Sequence, residues 1–373
     1  MPGVILFLEL AAIAMVFAGL PLLYVWRKPG YDFFQKLNWI LVFMTFDLIV
    51  FGAFTRLTDS GLGCPDWPGC YGASNPFHAL GDIRHAESAW PTGPVTVIKA
   101  WIEMIHRYLA MTVGALILVQ VAIAFTKLKS LGKNPLLGSI GLLLLVCIQG
   151  AFGAWTVTLK LQPIIVTIHL ILALVLLACL TVYAQQSWES KSSAVRSIRI
   201  RPLSAQLLSL SFIVLFVQIF LGAWVSTNYA VLACPDFPTC LGSAWPETNW
   251  SEGFTLWRQL GLNAQGEFIS PVALQTIHWA HRLFAILVLG VLGTLGLKAL
   301  QLATPVLSNL SQVAKLLLGV LSLQVITGIS NVVFQWPLFA ALLHTAGSAA
   351  LVFCLVRMSY WASWKPFIQK KMA

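Results

Sequence analysis

The chain has 373 residues, of which 58% are hydrophobic and only 10% are charged, and its formal net charge is +10. Water-soluble domains of this length do not sustain so low a charged fraction, so the composition excludes a soluble enzyme and indicates a membrane protein. The positive charge requires no nucleic-acid partner, because it is mostly the excess of basic residues that cytoplasmic loops carry, together with some attraction to anionic lipid.

Nine apolar runs are long enough to cross a hydrocarbon core about 30 Å thick, and helices are the spanning elements that the sequence predicts. Strands are disfavoured because apolar and polar residues do not alternate with a period of two. The first run lacks a basic leading region and a cleavage site, so we predict a retained helix instead of a signal peptide. The predicted spans are roughly 4–26, 37–55, 100–125, 136–156, 163–184, 206–226, 273–297, 313–334 and 337–360.

Basic residues predict how these helices are oriented. They concentrate in the loops of one side, for example at Lys36, Lys127 and Arg199, whereas the long loops of the other side hold few cations for their length. The positive-inside rule therefore predicts an amino terminus outside the cytoplasm and a carboxyl terminus inside it.

The two halves of the chain repeat each other. The first half contains two histidines 63 positions apart, and the second half repeats that spacing 175 positions later. An arginine follows the first histidine of each pair, and each half also carries a Cys-Pro-Asp-x-Pro-x-Cys segment, with the two segments offset by 170 positions. The repeated residues are His106, His169, His281 and His344, the arginines Arg107 and Arg282, and the cysteines of 64–70 and 234–240.

This duplication predicts an all-α polytopic membrane protein built from two tandem four-helix bundles, with an extra amino-terminal helix. Four helices with short connections form a bundle, and cofactors in bundles lie between facing helices. An even number of helices in each unit gives parallel repeats about an axis near the membrane normal. The predicted divisions are an extra helix and turn at 1–36, bundles at 37–184 and 206–360, a cytoplasmic linker at 185–205 and a cytoplasmic tail at 361–373.

The paired cysteines fall in the two long outer loops. Cys64 and Cys70 are six positions apart, as are Cys234 and Cys240, and an oxidising compartment favours a disulfide in each loop. A zinc site is the alternative. It needs further ligands, and only the first loop supplies histidines, at positions 78 and 85.

The four repeated histidines are candidate metal ligands. Each lies six to eight residues into a helix that enters from outside, which for six residues is a depth of about 9 Å. One such histidine could serve only as a hydrogen-bond partner, but four at matched depth favour a functional role. Two histidines in each bundle without carboxylate or thiolate partners suit bis-imidazole ligation of haem iron, whereas zinc or copper normally has three or four protein ligands.

Arginines near these histidines are candidate partners of haem propionates. Arg107 and Arg282 directly follow a histidine, and Arg56 lies at the outer end of the second predicted span. A propionate near the outer surface needs cations. Each of the two histidine-adjacent arginines could instead extend to the membrane interface.

The two halves differ at the position three residues before the first histidine of each pair. Glu103 stands there in the first half and His278 in the second. A carboxylate near a haem-sized cavity is a candidate proton acceptor or a stabiliser of a developing cation. The histidine could meet water or a propionate, or act as an alternative axial ligand. The difference predicts one bundle that performs chemistry and one that holds a permanent cofactor.

Taken together, these motifs resemble the haem A synthase family, over nearly everything from 37 to 360. The segments that carry the resemblance are Thr55-Arg-Leu-Thr-Asp-Ser-Gly-Leu-Gly63 before Cys64-Pro-Asp-Trp-Pro68, Glu103-x-x-His106-Arg107, 150–155, His169, 222–225, His278-x-x-His281-Arg282 and His344. The extra helix at 4–26 departs from the eight-helix core of that family.

The resemblance implies a bacterial inner-membrane enzyme that converts haem O to haem A for cytochrome oxidase. It implies oxidation of the C8 methyl group to a formyl group, by successive hydroxylations and loss of water. It also implies that His106 and His169 flank the iron of substrate haem O, that Glu103 is the catalytic carboxylate, and that His281 and His344 bind haem b.

Haem O, membrane lipid and the cytochrome oxidase assembly machinery are the partners that the resemblance implies, with a haem O synthase upstream, and homo-oligomerisation is left open. Two other functions fit part of the pattern. A di-haem b-type cytochrome for quinol-linked electron transfer needs the same histidines but has no use for Glu103 or for long cysteine-bearing loops. A duplicated transporter would place its interruptions at mid-membrane, whereas the histidines here lie at one outer level.

Overall fold

The computed structural model describes residues 2–27, 32–189, 204–302 and 308–362. Helices form nearly all of the regular structure in these ranges, and the pairing between extended residues is limited to isolated bridges. The helices are α1 Pro2–Arg27, α2 Phe33–Leu57, α3 Leu80–Ala89, α4 Val97–Thr126, α5 Leu128–Leu131, α6 Lys133–Thr158, α7 Pro163–Glu189, α8 Ala205–Thr227, α9 Trp250–Gly253, α10 Pro271–Gln301, α11 Ser308–Val333 and α12 Leu338–Ala362.

Eight of these helices are long and apolar enough to cross a membrane, as judged over the described residues. They are α2, α4, α6, α7, α8, α10, α11 and α12, and the apolar stretch of α1, Leu8–Tyr24, is shorter. The predicted all-α polytopic fold with about nine apolar helices is confirmed. The sequence did not predict α3 and α9, which lie within the two long loops.

Side-chain caps determine where several helices begin. Thr96 accepts a hydrogen bond from the backbone N–H of Lys99, and Ser270 accepts one from that of Ala273. Such caps satisfy backbone donors that the first helical turn leaves free. As a result α4 and α10 begin at Val97 and Pro271, before the starts predicted from hydropathy alone.

Packing joins the two halves through four helices. In the first half α2 packs against α4 and α7, and α6 packs against α4 and α7; in the second half α10 packs against α8 and α11, and α11 packs against α12. The halves meet where α12 contacts α2 and α7, and where α7 contacts α8. One apolar core runs through both halves and includes Leu41, Leu177, Leu292 and Leu355. The predicted bundle boundaries stay predictions.

The extra helix α1 lies on the first half of the chain. It packs against α4 and α2, and the ring of Phe17 stacks on that of Tyr108 with centroids 6.2 Å apart. Nearer the amino terminus, Leu10 is buried in a cluster that also contains Cys64 and Met104. Helix α1 therefore contacts both the first bundle and its long loop. The predicted linker 185–205 and tail 361–373 lie mostly outside the described residues.

Candidate functional site

Each of the four repeated histidines faces a glycine on a neighbouring helix. The pairs lie between α2 and α4, α6 and α7, α8 and α10, and α11 and α12. A Cβ atom added to the glycine would lie 2.9 Å (Gly52 to His106), 3.3 Å (Gly153 to His169), 2.8 Å (Gly222 to His281) or 3.4 Å (Gly328 to His344) from Cε1 of the ring. Glycine at these positions leaves room for the imidazole against the helix.

A glutamine stands one helical turn before three of these four glycines. The side-chain amide of Gln149 donates to the backbone carbonyl of His169 at 3.0 Å. Gln218 does the same to His281 at 3.2 Å, and Gln324 to His344 at 2.9 Å. The fourth position is Leu48. The repeated unit is therefore smaller than the half-chain that the sequence predicted, because each pair of helices carries one histidine opposite one glycine.

The second histidine pair has a spacing that suits an iron atom between the rings. The ring centroids of His281 and His344 are 6.4 Å apart, and the ring planes are inclined at 79°. Metal–imidazole bonds of about 2 Å on each side, plus the distance from each nitrogen to its ring centre, require a separation of about 6 Å. In the first half, His106 faces Gly52 of α2 and His169 faces Gly153 of α6, and these helices belong to one packed group. The structure thus brings His281 and His344 together, and haem ligation by either pair stays a prediction.

The hydrogen bonds of His344 leave one of its nitrogens available for a metal. The hydroxyl of Thr327 donates to the carbonyl of Leu323 at 2.8 Å, and its oxygen lies 2.9 Å from Nδ1 of His344. Because a hydroxyl has a single proton, its oxygen accepts the bond from Nδ1–H. Nε2 then carries a free lone pair, which is the form that binds iron.

Glu103 is buried between the first long loop and an arginine. It is 4% exposed, its Oε2 accepts from the backbone N–H of Cys64 at 2.8 Å, and its Oε1 accepts from Arg107. The guanidinium of Arg107 also donates to the backbone carbonyls of Asp66, at 2.9 Å, and of Gly69. Two donors thus hold this carboxylate in place, three residues from His106 along α4.

The second half repeats the arginine contacts without the carboxylate. Arg282 donates to the carbonyls of Asp236 at 2.8 Å and Cys234 at 2.6 Å. Its Nε donates to Nε2 of His278 at 3.2 Å, so this ring nitrogen accepts a hydrogen bond from the arginine. Both arginines hold a long loop against a histidine-bearing helix, and their predicted propionate contacts stay predictions.

Each long loop contains a disulfide inside the same small turn. Cys64 is joined to Cys70 and Cys234 to Cys240, and all four cysteines are fully buried. In both loops the second cysteine exchanges backbone hydrogen bonds with the residue three positions later. Among the described residues no group of three or more metal-binding side chains gathers, so the structure gives the zinc alternative no support.

An aspartate organises each of these turns. Asp66 accepts from the backbone N–H of Tyr71 at 2.6 Å and of Gly72 at 2.7 Å. Asp236 accepts the equivalent bonds from Leu241 and Gly242, and in addition one from the hydroxyl of Thr239. The Thr239 hydroxyl bond and these backbone bonds lower the pKa of Asp236 to about 2.

Arg56 joins the two halves at the loop end of the helices. It donates to the carbonyl of Ser226 at 2.7 Å, and its guanidinium lies 4.0 Å from the ring centroid of Tyr229. The hydroxyl of Tyr229 donates in turn to Asp59 at 2.6 Å. Ser226 and Tyr229 lie 170 positions after Arg56 and Asp59, so equivalent positions of the two repeats meet each other. The predicted propionate contact of Arg56 stays a prediction.

Sequence reasoning did not assign roles to Gln218 and Thr327, which contact histidine rings. A signal for the first was present, because glutamine precedes glycine by four positions in α6, α8 and α11. For Thr327 no signal was present, since a threonine within an apolar helix more often bonds only its own helix.

Comparison with known proteins gives consistent results over most of the chain. A family model described as COX15-CtaA, cytochrome oxidase assembly protein, matches residues 35–356. The chain is 38% identical over 337 residues to the heme A synthase of Shewanella oneidensis, covering 88% of this chain and 97% of that protein. It is 31% identical to the heme A synthase of Beijerinckia indica, covering 83% of this chain and 87% of that protein. The corresponding values for Caulobacter vibrioides heme A synthase are 28%, 84% and 91%.

Proposed function

The chain belongs to the COX15-CtaA family of cytochrome oxidase assembly proteins, and we infer from this that it is a haem A synthase, an enzyme of haem A biosynthesis. Relatives with that name align with almost the whole of the eight-helix region. The observation that carries the inference from the structure is the buried Glu103 beside one of two histidine pairs. A di-haem electron carrier accounts for the histidines, but it would use Glu103 only to hold Arg107 and the first long loop.

In finer detail, we propose that the protein oxidises the C8 methyl group of haem O to a formyl group. His106 and His169 flank the iron of this substrate in the first bundle, and His281 and His344 hold haem b in the second. A bound haem b would accept electrons one at a time, and an external oxidant would have to take them on, because oxidation of a methyl to a formyl group removes more electrons than one haem holds. The ring spacing of 6.4 Å and the free Nε2 of His344 support the second assignment.

Glu103 is the proposed catalytic carboxylate. Removing hydride from a methyl group leaves a cation, and removing one electron leaves a radical cation whose proton must pass to a base. A carboxylate held by Arg107 and by the N–H of Cys64 stabilises such a charge without reorganising, or accepts the proton. His278 occupies the equivalent position in the second bundle and supplies no negative charge, which supports placing the chemistry in the first.

The membrane setting suits the proposed substrate. Haem O carries a farnesyl chain, so a site among membrane helices accepts it from the bilayer. We propose that the loop end faces away from the cytoplasm, with the amino terminus outside and the carboxyl terminus inside. A haem O synthase that delivers the substrate and a homo-oligomer are further proposals.

The test is haem A formation in cells that also express a haem O synthase. Pigments are extracted from membranes that contain the wild type, Glu103→Gln, or Glu87→Gln as a control at a loop glutamate of α3. We expect haem A with the wild type and the control. With Glu103→Gln we expect haem O to accumulate and haem A to fall by at least about 100-fold, a typical contribution of acid–base or electrostatic groups.

Absence of haem A from the wild type would contradict the proposed activity. In that case a low-spin haem spectrum of the purified protein would favour the di-haem carrier, and haem-free protein would exclude both functions. If Glu103→Gln makes haem A at the wild-type level, the activity stands and the assignment of the catalytic carboxylate is wrong.

A further inference from the structure

The ring nitrogens of the two histidine pairs have different neighbours. In the second half, Nδ1 of His344 lies 2.9 Å from the hydroxyl of Thr327, and Nδ1 of His281 lies 3.1 Å from the side-chain amide of Gln218. In the first half, Nδ1 of His106 and of His169 is buried and has no hydrogen-bond partner among the described residues.

Two substitutions between the repeats account for this difference. Gln218 corresponds to Leu48 at the offset of 170, and Thr327 corresponds to Phe152 at the offset of 175. Leu48 packs against the apolar core, and the ring of Phe152 meets Trp155 edge-on with centroids 5.0 Å apart. Neither side chain has a polar atom, so neither can bond to a ring nitrogen.

Gln218 holds the ring of His281 through its side-chain amide nitrogen. This nitrogen lies 3.1 Å from Nδ1 and 3.5 Å from Nε2 of the ring, and it donates to the backbone carbonyl of His281 at 3.2 Å. A side chain that is fixed to the backbone and lies against both ring nitrogens limits the turning of the ring.

We propose that Gln218 and Thr327 are positioning residues, which fix the second histidine pair as ligands of a permanently held haem. Leu48 and Phe152 take the same places in the first bundle. Among the described residues, the polar contact to a ring nitrogen in that bundle is the amide of Gln149, 3.5 Å from Nε2 of His169, so its rings have fewer hydrogen-bond partners and suit a haem that enters and leaves. This proposal rests on the proposed function, in which the first bundle binds a substrate and the second a resident cofactor.

The physical reason is the effect of a hydrogen bond on the far side of a ligating imidazole. Such a bond fixes the tautomer and the orientation of the ring and makes the metal-binding nitrogen more basic. Loss of the partner typically weakens metal binding by about 10- to 100-fold. A more basic ligand also favours ferric iron over ferrous iron, so losing the bond raises the midpoint potential.

The experiment compares Thr327→Val with Thr294→Val in the full-length protein purified in detergent. Both threonines donate to a carbonyl four residues earlier in their own helix, but Thr294 is exposed and distant from a histidine. We measure the ratio of haem to protein during prolonged washing, and the midpoint potential. Thr327→Val should release haem about 10- to 100-fold faster than Thr294→Val, with a higher potential, and Thr327→Ser should restore both values.

Exchanging Gln218 with its counterpart Leu48 tests the role of the glutamine. Gln218→Leu gives the second bundle the residue of the first, and we expect faster haem release because the ring of His281 loses a side chain that holds its orientation. Leu48→Gln gives the first bundle the residue of the second, and we expect haem O or haem A to remain on the purified protein where the wild type releases it.

Failure of this proposal differs from failure of the proposed function. Haem A in the pigments of the same cells reports the function. If the wild type forms haem A while Thr327→Val and Gln218→Leu match Thr294→Val in haem release and potential, the positioning roles are wrong and the activity stands. If Thr327→Ser releases haem as fast as Thr327→Val, the hydroxyl is not the cause and the proposal fails.

Discussion

An arginine holds the long loop in each of the two bundles, but the residue beside that arginine differs between them. Arg107 and Arg282 each donate to two or more loop carbonyls, and each packs beside the residue one turn earlier in its helix. That residue is Glu103 in the first bundle and His278 in the second. The arginine and its neighbour therefore have separate roles. The arginine holds the loop in both halves, and the neighbouring residue decides whether a negative charge lies next to the histidine pair.

The same division appears at the histidines. The frame of four histidines and four facing glycines is common to the two bundles. The polar residues around it differ at three equivalent places, where the first bundle has Leu48, Glu103 and Phe152. All three lie on helices of the histidine-bearing pairs, and the first bundle has a carboxylate but lacks the two polar side chains that contact a ring in the second. The duplicated frame is therefore common to both halves, and the residues that differ are those to which we assign the proposed division between a substrate site and a cofactor site.

The largest effect should come from replacing, one at a time, the two arginines that hold the long loops. Arg107→Met leaves the Glu103 carboxylate buried without its ion-pair partner, so the free energy of unfolding should fall by about 3–5 kcal/mol. Arg282→Met loses hydrogen bonds to carbonyls but leaves a histidine that can stay neutral, and about 1–3 kcal/mol is expected. Denaturant midpoints in detergent micelles measure both losses.

A double variant identifies the cause of that difference. Adding Glu103→Gln to Arg107→Met removes the unpaired charge while the loop still lacks its arginine, so much of the lost stability should return. If the double variant is no more stable than Arg107→Met alone, loss of the loop contacts explains the effect and the buried charge does not.

The sequence predicted the helices and the histidine frame because both rest on residue type. Apolar runs and spacing specify where the spans lie, and a charged or imidazole side chain within a span is conspicuous. The contacts of Arg107 and Arg282 were not predictable in this way. Their acceptors are backbone carbonyls of Asp66 and Asp236, and every residue carries such a group, so no residue type marks the partner.

Helix α1 shows a similar limit. Its hydropathy predicted a helix, but an apolar helix in a membrane has no hydrophobic reason to choose one neighbour over another. Its position depends on shape, such as the fit of Phe17 against Tyr108 and of Leu10 against the cluster around Cys64. These contacts could not be derived from composition.

A smaller effect should follow from adding a methyl group at the glycine that faces each histidine, because the four helix pairs leave different amounts of space there. A Cβ at Gly222 would lie 2.8 Å from the ring of His281, whereas at Gly328 it would lie 3.4 Å from that of His344. Gly222→Ala must displace the ring, and overpacking of this kind costs about 1–3 kcal/mol. We expect a clear loss of bound haem with Gly222→Ala and little with Gly328→Ala.

The first bundle offers the same two substitutions, one with a short distance to the ring and one with a longer distance. Gly52→Ala would bring a Cβ to 2.9 Å from His106 and Gly153→Ala to 3.3 Å from His169. Haem A formation should fall more with the first variant than with the second. Equal losses from all four variants would show that helix packing, and not the distance to the ring, sets the effect.

The smallest effect concerns the two aspartate turns, which differ by one hydroxyl. Asp236 accepts from Thr239, whereas the equivalent neighbour of Asp66 is Gly69, which has no hydroxyl. The pKa of Asp236 is lowered from 3.8 to about 2, chiefly by this bond.

A carboxyl group with a lowered pKa in the folded state stabilises the fold fully above its unfolded pKa and loses that contribution as the pH falls through its folded value. Cleavage of the 234–240 loop by an acid-active protease should therefore stay constant from pH 7 to pH 5, rise below the ordinary pKa of 3.8 and level off near pH 2. Thr239→Gly removes the hydroxyl bond and brings the folded pKa of Asp236 closer to the unfolded one, so the rise should become smaller. An unchanged profile would show that the backbone bonds from Leu241 and Gly242 alone keep Asp236 ionised.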